Sequence, residues 1–252
     1  MKTALDVSLL FRRYSLQMLR NPIWLFVGFS TPILYLALFT PLLKHVAPNL
    51  GVHGGVLEIF LPGILCLLAF ASGISMGFNT IFELQAGVVE RFRVTPASRF
   101  AILVGPILSG LTMMLVFDAV VVAVGVGVGF KPHWLGLLAL GVLLGLLASL
   151  MAAFSTATAL VTKEINSFAA IINGLNLPIL LLAGVLLPIS IGPLWMRVLA
   201  HFNPLYYAVE ASRALAVGSF GAPAVWQAFA VLVPLCALVV SWATRVFRKA
   251  VA

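Results

Sequence analysis

The sequence predicts an all-α integral membrane protein with six transmembrane helices and an amphipathic helix at its amino terminus. Of its 252 residues, 62% are hydrophobic and only 9% are charged, and the mean hydropathy is +1.15. Several apolar runs reach the roughly 20 residues that a helix needs to cross a bilayer. These runs are apolar on all sides and lack the alternation of a membrane β-barrel strand, so helices are the predicted spanning structure.

The first 21 residues are predicted to form a helix that lies in the cytoplasmic membrane interface. A narrow polar stripe recurs at helical spacing and consists of Lys2, Asp6, Arg13, Gln17 and Arg20. Apolar residues occupy the rest of the helix surface, as in helices that lie in the plane of a membrane. Asn21 and Pro22 end this helix and turn the chain into the first span. Such a helix acts as an anchor or contacts a cytoplasmic partner, and the sequence leaves both roles open.

Six spans result when the chain is divided at its polar and its Pro- or Gly-containing breaks. They cover residues 23–43, 57–80, 101–130, 134–161, 167–187 and 224–246. The first run is too long for a signal-peptide core and ends in TPLLKHVAP rather than in a cleavage site of small residues. We therefore expect it to remain in the mature protein.

The basic residues predict that both termini are cytoplasmic. With the amino terminus inside, the far side of the membrane has only Lys44, Lys131, Arg197 and Arg213. The net charge of +8 is then mostly a topology signal with some attraction to anionic lipid, and no nucleic-acid partner is expected. The expected location is the inner (plasma) membrane, in a multi-pass arrangement.

Charge is concentrated between the second and third spans, in ELQAGVVERFRVTPASRF. Glu83, Gly87 and Glu90 are spaced i, i+4 and i+7, which predicts one face of a helix that continues inward from the membrane. Thr95 before Pro96 predicts a break and the start of a second helix. We interpret the stretch as a rigid cytoplasmic elbow. The alternative is a solvated turn whose charges only maintain topology.

Two stripes of polar side chains are predicted at membrane depth. They are Ser72, Ser75 and Asn79 on the second span and Asn166, Asn173 and Asn176 on the fifth. Polar side chains at this depth face protein or water rather than lipid, so each stripe is expected to face the other stripe, a partner chain or a substrate pathway. Hydrogen bonds that only hold the helices together are the alternative.

Asp118 is an ionisable residue in the middle of the third span, in LVFDAVVV. A carboxylate at that depth costs about 2.5 to 3.5 kcal/mol on insertion scales, which makes it a functional candidate for the substrate pathway. It is protonated, hydrogen-bonded to a neighbouring helix, or close to the outer interface if the span is shifted. We favour helix packing over ion coupling.

Small residues predict close helix packing rather than phosphate binding. Gly73 with Gly77 and Gly141 with Gly145 have the spacing of helix contacts, and VGVGVGF lacks the strand that a nucleotide fingerprint requires.

Glu210 lies three residues before Arg213, and the two are expected to pair.

Four stretches in order resemble the permease subunits of type-2 ABC exporters, the family of antibiotic-resistance, nodulation-factor and polysaccharide export permeases. The first runs from Glu83 to Arg99, with Glu, Gly, Glu-Arg and Thr-Pro-x-Ser-Arg elements. The others are LEIFLPGIL around Pro62, LLAGVLLPIS around Gly184, and PLWMRVLAHFNPLYYAVEASRAL around Asn203. The resemblance covers nearly the whole chain.

The resemblance implies a single permease domain, residues 1–252, whose coupling loop, 81–100, docks on a separate ATP-binding subunit. It further implies an outer re-entrant helical hairpin at residues 188–223. The implied coupling residues are Glu83, Gly87, Glu90, Arg91, Arg93, Thr95, Pro96 and Arg99. The expected partners are two ATP-binding subunits and a second copy or sister permease. ATP and Mg would bind to the ATP-binding subunit and no cofactor to this chain, which contains no G-x-x-x-x-G-K loop.

The expected function is export of a lipophilic drug, antibiotic or lipid-like molecule without enzymatic activity in this chain. A polysaccharide or glycolipid export permease of the same family is the first alternative. A proton-coupled secondary transporter using Asp118 would require internal repeats with broken helices, which the sequence lacks. An intramembrane enzyme is disfavoured because H-E-x-x-H does not occur and no serine sits in a G-x-S-x-G elbow with a histidine at plausible depth.

Overall fold

A computed structural model describes residues 2–46, 56–87, 99–185, 189 and 192–251. These residues form nine helices and contain no strand, as an all-α protein requires. The helices are α1 (Lys2–Leu19), α2 (Pro22–Val46), α3 (Val56–Gln85), α4 (Arg99–Val128), α5 (Trp134–Thr162), α6 (Ile165–Ala183), α7 (Leu194–Ala200), α8 (Pro204–Ala216) and α9 (Pro223–Val251).

Five helices are long and apolar enough to cross a membrane, namely α3, α4, α5, α6 and α9. The apolar stretch found in α2 is shorter and covers Leu25–Pro41. The chain is therefore a multi-pass membrane protein. The full layout of six spans stays a prediction.

Several span boundaries differ from the predicted ones, and two of them lie beside the predicted coupling loop and outer hairpin. The second span was expected to end at residue 80, but α3 continues to Gln85, as the expected inward extension of the helix through Glu83 requires. The fifth span was expected to reach residue 187, but α6 ends at Ala183. Gly184 adopts a φ of 69°, a left-handed conformation that glycine tolerates and that terminates a helix.

The centre of the bundle is the packing of α3 against α5. A Cβ atom added to Gly73 would lie 2.4 Å from the Cβ atom of Met151, so only glycine permits this approach. One turn later, the Gly77 N–H donates to the Ser155 hydroxyl (2.8 Å), which itself donates to the Ile74 carbonyl (2.7 Å). The predicted close packing at these two glycines is confirmed.

The second glycine pair does not make a close helix contact. A Cβ atom on Gly141 would approach no atom nearer than Leu115 Cδ2, at 3.8 Å, and one on Gly145 would meet nothing within 4 Å. Their spacing matches that of Gly73 and Gly77, but no neighbouring helix of the described chain approaches α5 closely enough there to require glycine. The prediction for this pair is wrong.

The short helices α7 and α8 lie within the segment predicted as an outer hairpin. With 13 residues, α8 is about 20 Å long, shorter than the hydrocarbon core of a bilayer. It packs on α3, α5, α6 and α9, and its Leu205, Ala208 and Ala211 are fully buried. Gly136 of α5 is so close to the Leu215 carbonyl oxygen that an added Cβ would lie 1.9 Å from it. A re-entrant position in the membrane stays a prediction.

Burial is uneven across the bundle. In the most apolar stretch of α3, 56% of residues are buried inside the chain, whereas the figure for α6 is 11%. Because α6 is apolar but mostly uncovered, much of its surface is left for lipid or for another chain.

Candidate functional site

The predicted coupling segment begins where α3 ends. Ala86 N–H donates to the Phe82 carbonyl (2.9 Å), and Gly87 N–H donates to the Leu84 carbonyl (3.1 Å). Gly87 has a φ of 65°, which ends the helix as a left-handed glycine cap. The expectation of one continuous helix through Glu83 and Gly87 is therefore wrong, because a favourable cap stops α3 at Gln85.

Most of the remaining coupling residues lie outside the described residues. These are Glu90, Arg91, Arg93, Thr95 and Pro96. Arg99 is the first residue of α4. The coupling role of the segment, and a second helix starting at Pro96, stay predictions.

Helix α1 packs against α4, and the chain forms a helix where the sequence predicts one. The hydroxyl groups of Ser15 on α1 and Ser109 on α4 are 2.9 Å apart and share a hydrogen bond. Near the start of α4, Gly105 leaves room for Leu10, because an added Cβ would lie 2.6 Å from the Leu10 Cβ atom. Other leucines of α1, such as Leu5 and Leu9, are about 60% exposed. The helix therefore has one face for the bundle and a second apolar face.

Helix α1 also bonds to the end of α3. The Tyr14 hydroxyl donates a hydrogen bond to the Glu83 carboxylate. Burial and the neighbouring Glu83 carboxylate raise the pKa of Tyr14, so the phenol stays protonated and remains a donor. Glu83, expected from its position to face a partner subunit, is half-buried and engaged within this chain.

The contacts of Tyr14 and Ser15 form one joint, which we call the α1 joint and define as Tyr14, Ser15, Glu83 and Ser109. It attaches α1 to both helices that flank the predicted coupling loop. Sequence analysis did not identify it. Tyr14 and Glu83 are 69 positions apart in the sequence, and Ser15 and Ser109 are 94 apart. These contacts are therefore a feature of the tertiary structure.

The polar stripe of α3 does not face the stripe of α6. The α3 residues that pack toward Phe168 of α6 include Gly77 and Ile81. At about 100° per residue, Gly77 and Ile81 are centred roughly 160° around the helix from Ser75 and Asn79. No hydrogen bond between the stripes occurs in the described part of the chain, and Ser75 donates instead to the backbone of its own helix. The expectation that the two stripes face each other is therefore wrong.

Both stripes remain available to a partner chain or a pathway. Asn79 and Asn173 are exposed, and Ser72 is half-buried. The side-chain oxygen of Asn176 is buried and has no hydrogen-bond partner among the described residues. An amide oxygen in that state is satisfied by a group outside the described residues, by water, or after a side-chain rotation.

Asp118 lies inside the bundle on α4, where it is 5% exposed. Neither carboxyl oxygen has a hydrogen-bond partner within the described ranges. The favoured expectation, helix packing rather than ion coupling, therefore has no hydrogen bond within these ranges to support it, and it stays a prediction. Asp118 lines a cavity of about 490 Å³ between α3, α4 and α5.

Arg213 has a larger structural role than the sequence suggests. The expected pair with Glu210 is present, with Nη1 and Oε1 2.7 Å apart. In addition, Arg213 Nε donates to the Ile59 carbonyl (3.1 Å) and Nη2 to the Gly184 carbonyl (2.7 Å). One guanidinium thus links α8, the start of α3 and the end of α6. The i, i+3 spacing revealed only the first of these contacts.

Asn203 connects the short helices to the bundle. Its side-chain oxygen accepts from Leu205 N–H (3.0 Å) as the N-cap of α8, and its Nδ2 donates to the Ile179 carbonyl of α6 (2.7 Å). Arg213 and Asn203 therefore attach α8 to α6, the helix that carries one of the two polar stripes.

Comparison with known proteins identifies the family. A family model described as ABC-2 type transporter matches residues 6–217. A putative transport permease of Cyanophora paradoxa is 31% identical over 214 residues, which cover 83% of this chain and 73% of the relative. A putative transport permease of Pyropia yezoensis is 28% identical over 217 residues, 83% and 73% of the two chains. A daunorubicin resistance ABC transporter permease protein of Streptomyces coeruleorubidus is 26% identical over 222 residues, 86% and 76% of the two chains. The chain therefore belongs to the ABC-2 type transporter permease family.

Proposed function

We propose that this chain is the membrane-spanning subunit of an ATP-driven exporter that moves a lipophilic drug or lipid-like molecule out of the cell. Membership of a transport permease family supports the transport role. The relative named for daunorubicin resistance supports a lipophilic compound over a polysaccharide. The weakly covered apolar surface of α6 is suited to a molecule that enters sideways from the bilayer.

The α1 joint is the observation that carries the coupling part of the proposal. Tyr14 holds α1 to the end of α3, and Ser15 holds it to α4. These two helices enter and leave the proposed coupling loop, so a force on the loop moves three helices as one unit. Such a rigid connection is what a separate ATP-binding subunit needs in order to drive the bundle.

The proposed assembly follows from the same features. The proposed layout has six spans in the inner membrane, with both termini on its cytoplasmic side. Two ATP-binding subunits, carrying ATP and Mg, dock on the loops of two permeases, which are two copies or a sister pair. The exposed apolar side of α6, with Asn173 and the unpaired Asn176 oxygen, is available to the second permease or to the pathway between the two.

Reconstitution tests this function directly. The chain is co-expressed with its ATP-binding subunit, placed in proteoliposomes, and assayed for movement of daunorubicin with and without ATP. We expect transport only with ATP, and none with a hydrolysis-deficient ATP-binding subunit as the control. Transport driven by a proton gradient in the absence of ATP would contradict the proposal and favour a secondary transporter.

A further inference from the structure

The cavity beside Asp118 has the size and lining of a small-molecule site. Its volume of about 490 Å³ falls within the range of ligand pockets in proteins. Its walls are almost entirely apolar and include Leu65 of α3, Val122 of α4 and Leu140 of α5. Trp134, which is 73% exposed, lies at one edge. The cavity therefore offers a large apolar contact area that is reachable from the surface of the bundle.

One strongly polar group interrupts this lining. Asp118 is only 5% exposed, and neither of its oxygens is paired within the described chain. It lies ten residues before the end of α4, which is about 15 Å along the helix. A distance of that length is about half the thickness of the hydrocarbon core, so the short side chain cannot reach the water at that end.

The chain offers no cation to balance this carboxylate in the described structure. Arg213, the buried arginine of the bundle, is already bonded to Glu210 and to two backbone carbonyls. No group of three potential metal ligands occurs in the described parts of the chain, and a lone carboxylate does not hold a metal ion in an apolar cavity. A lipid chain would fill the space but leave the carboxyl group, charged or protonated, without a hydrogen-bond partner.

A lipophilic amine satisfies both features. Its apolar body buries against the aliphatic walls, and its ammonium N–H donates to the carboxylate in a charge-assisted hydrogen bond. Because Asp118 is almost fully covered, the contact excludes water, which strengthens the interaction. The aromatic face of Trp134 adds a favourable surface for a cation entering from the bilayer.

We propose that the cavity between α3, α4 and α5 binds lipophilic amines from the bilayer, with Asp118 as the counter-ion of the ammonium group. This site adds a ligand class to the proposed function. Its role in transport rests on that function. Binding itself requires neither ATP nor a partner subunit. It can therefore fail while ATP-driven export holds, and the reverse is also possible.

Equilibrium binding to the full chain in lipid nanodiscs tests the inference. The probes are 1-pyrenebutylamine and 1-pyrenebutanol, which share one apolar body and differ in the ammonium group. Binding is followed as pyrene emission sensitised by tryptophan. The signal from empty nanodiscs is subtracted to correct for probe that partitions into lipid. We expect the wild-type chain to bind the amine at least about tenfold more tightly than the alcohol.

Two variants separate the charge from the cavity. Asp118→Asn keeps the side-chain shape, and it should reduce amine affinity to that of the alcohol. Gly141→Leu projects a side chain into the cavity and should weaken both probes. Its matched control is Gly145→Leu, one turn further along α5 and outside the lining, where an added Cβ meets nothing within 4 Å. We expect this control to bind like wild type.

The outcomes are decisive in each direction. An amine preference that survives Asp118→Asn overturns the role of Asp118 as counter-ion. Equal effects of Gly141→Leu and Gly145→Leu overturn the cavity as the site. A wild-type chain that does not distinguish the amine from the alcohol overturns the inference as a whole.

Discussion

Replacing Arg213 should destabilise the whole bundle, because its guanidinium joins three separate segments. The change is Arg213→Met, which keeps the apolar stem of the side chain and removes its charge and donors. Two hydrogen bonds to carbonyl oxygens are lost, at 3.1 Å to Ile59 and 2.7 Å to Gly184. The pair with Glu210 is lost as well. These contacts hold α8 against α3 and α6.

The magnitude follows from those contacts. A hydrogen bond from a charged donor contributes about 1.5 to 3 kcal/mol, so two of them contribute about 3 to 6 kcal/mol. The Glu210 side chain is 34% exposed, and the loss of this pair adds under about 1 kcal/mol because solvent screens it. For a chain of this length, each kcal/mol corresponds to about 2 to 4 °C in melting temperature. We therefore expect Arg213→Met to lower the melting temperature by at least about 6 °C.

The assay is thermal unfolding of the purified permease in one detergent, followed by intrinsic fluorescence. Glu210→Gln is the matched control, and it should lower the melting temperature by about 2 to 4 °C at most. Arg213→Lys should lie between the two, because an ammonium group does not reproduce the planar fork that contacts three acceptors. A melting temperature of Arg213→Met within about 2 °C of wild type would refute the reasoning.

Three further predictions concern packing, coupling and the pathway. Gly77→Ala should destabilise the chain by about 1 to 3 kcal/mol because an added Cβ would lie 2.1 Å from an atom of α5, whereas Gly145→Ala should be neutral or stabilising in chemical unfolding. Tyr14→Phe should leave insertion intact and reduce substrate-stimulated ATP hydrolysis by the partner subunit by about twofold or more, since it removes one net hydrogen bond of about 1 kcal/mol; unchanged stimulation would count against the α1 joint as a transmission element. Asn173→Leu combined with Asn176→Leu should alter which compounds are exported while leaving assembly intact, and an unchanged drug-resistance profile would remove these residues from the pathway.

Much of the fold was predictable because the membrane restricts what the chain can do. Backbone groups in lipid must be hydrogen-bonded within the chain, so long apolar runs become helices whatever their neighbours are. The predicted run 134–161 accordingly matches α5 (Trp134–Thr162) within one residue. Local patterns were equally reliable for the Glu210 and Arg213 pair, whose three-residue spacing brings the side chains together on any helix.

Local spacing was not sufficient where contact depends on a second helix. Gly73 with Gly77 and Gly141 with Gly145 have the same spacing, yet only the first pair meets a closely packed helix. The helix predicted to run through Gly87 ends earlier, because a left-handed glycine cap competed with the i, i+4 pattern of acidic residues.

The sequence by itself determined that this chain is a helical, multi-pass membrane protein with its charge concentrated beside the second span, because composition and run length act locally. Only the tertiary structure decided that Tyr14 bonds to Glu83 and that Arg213 reaches Ile59 and Gly184. It also decided that Asp118 faces an apolar cavity without a partner in the described chain. Each of these depends on which helix faces approach one another, and residues far apart in the chain meet only after the helices have packed.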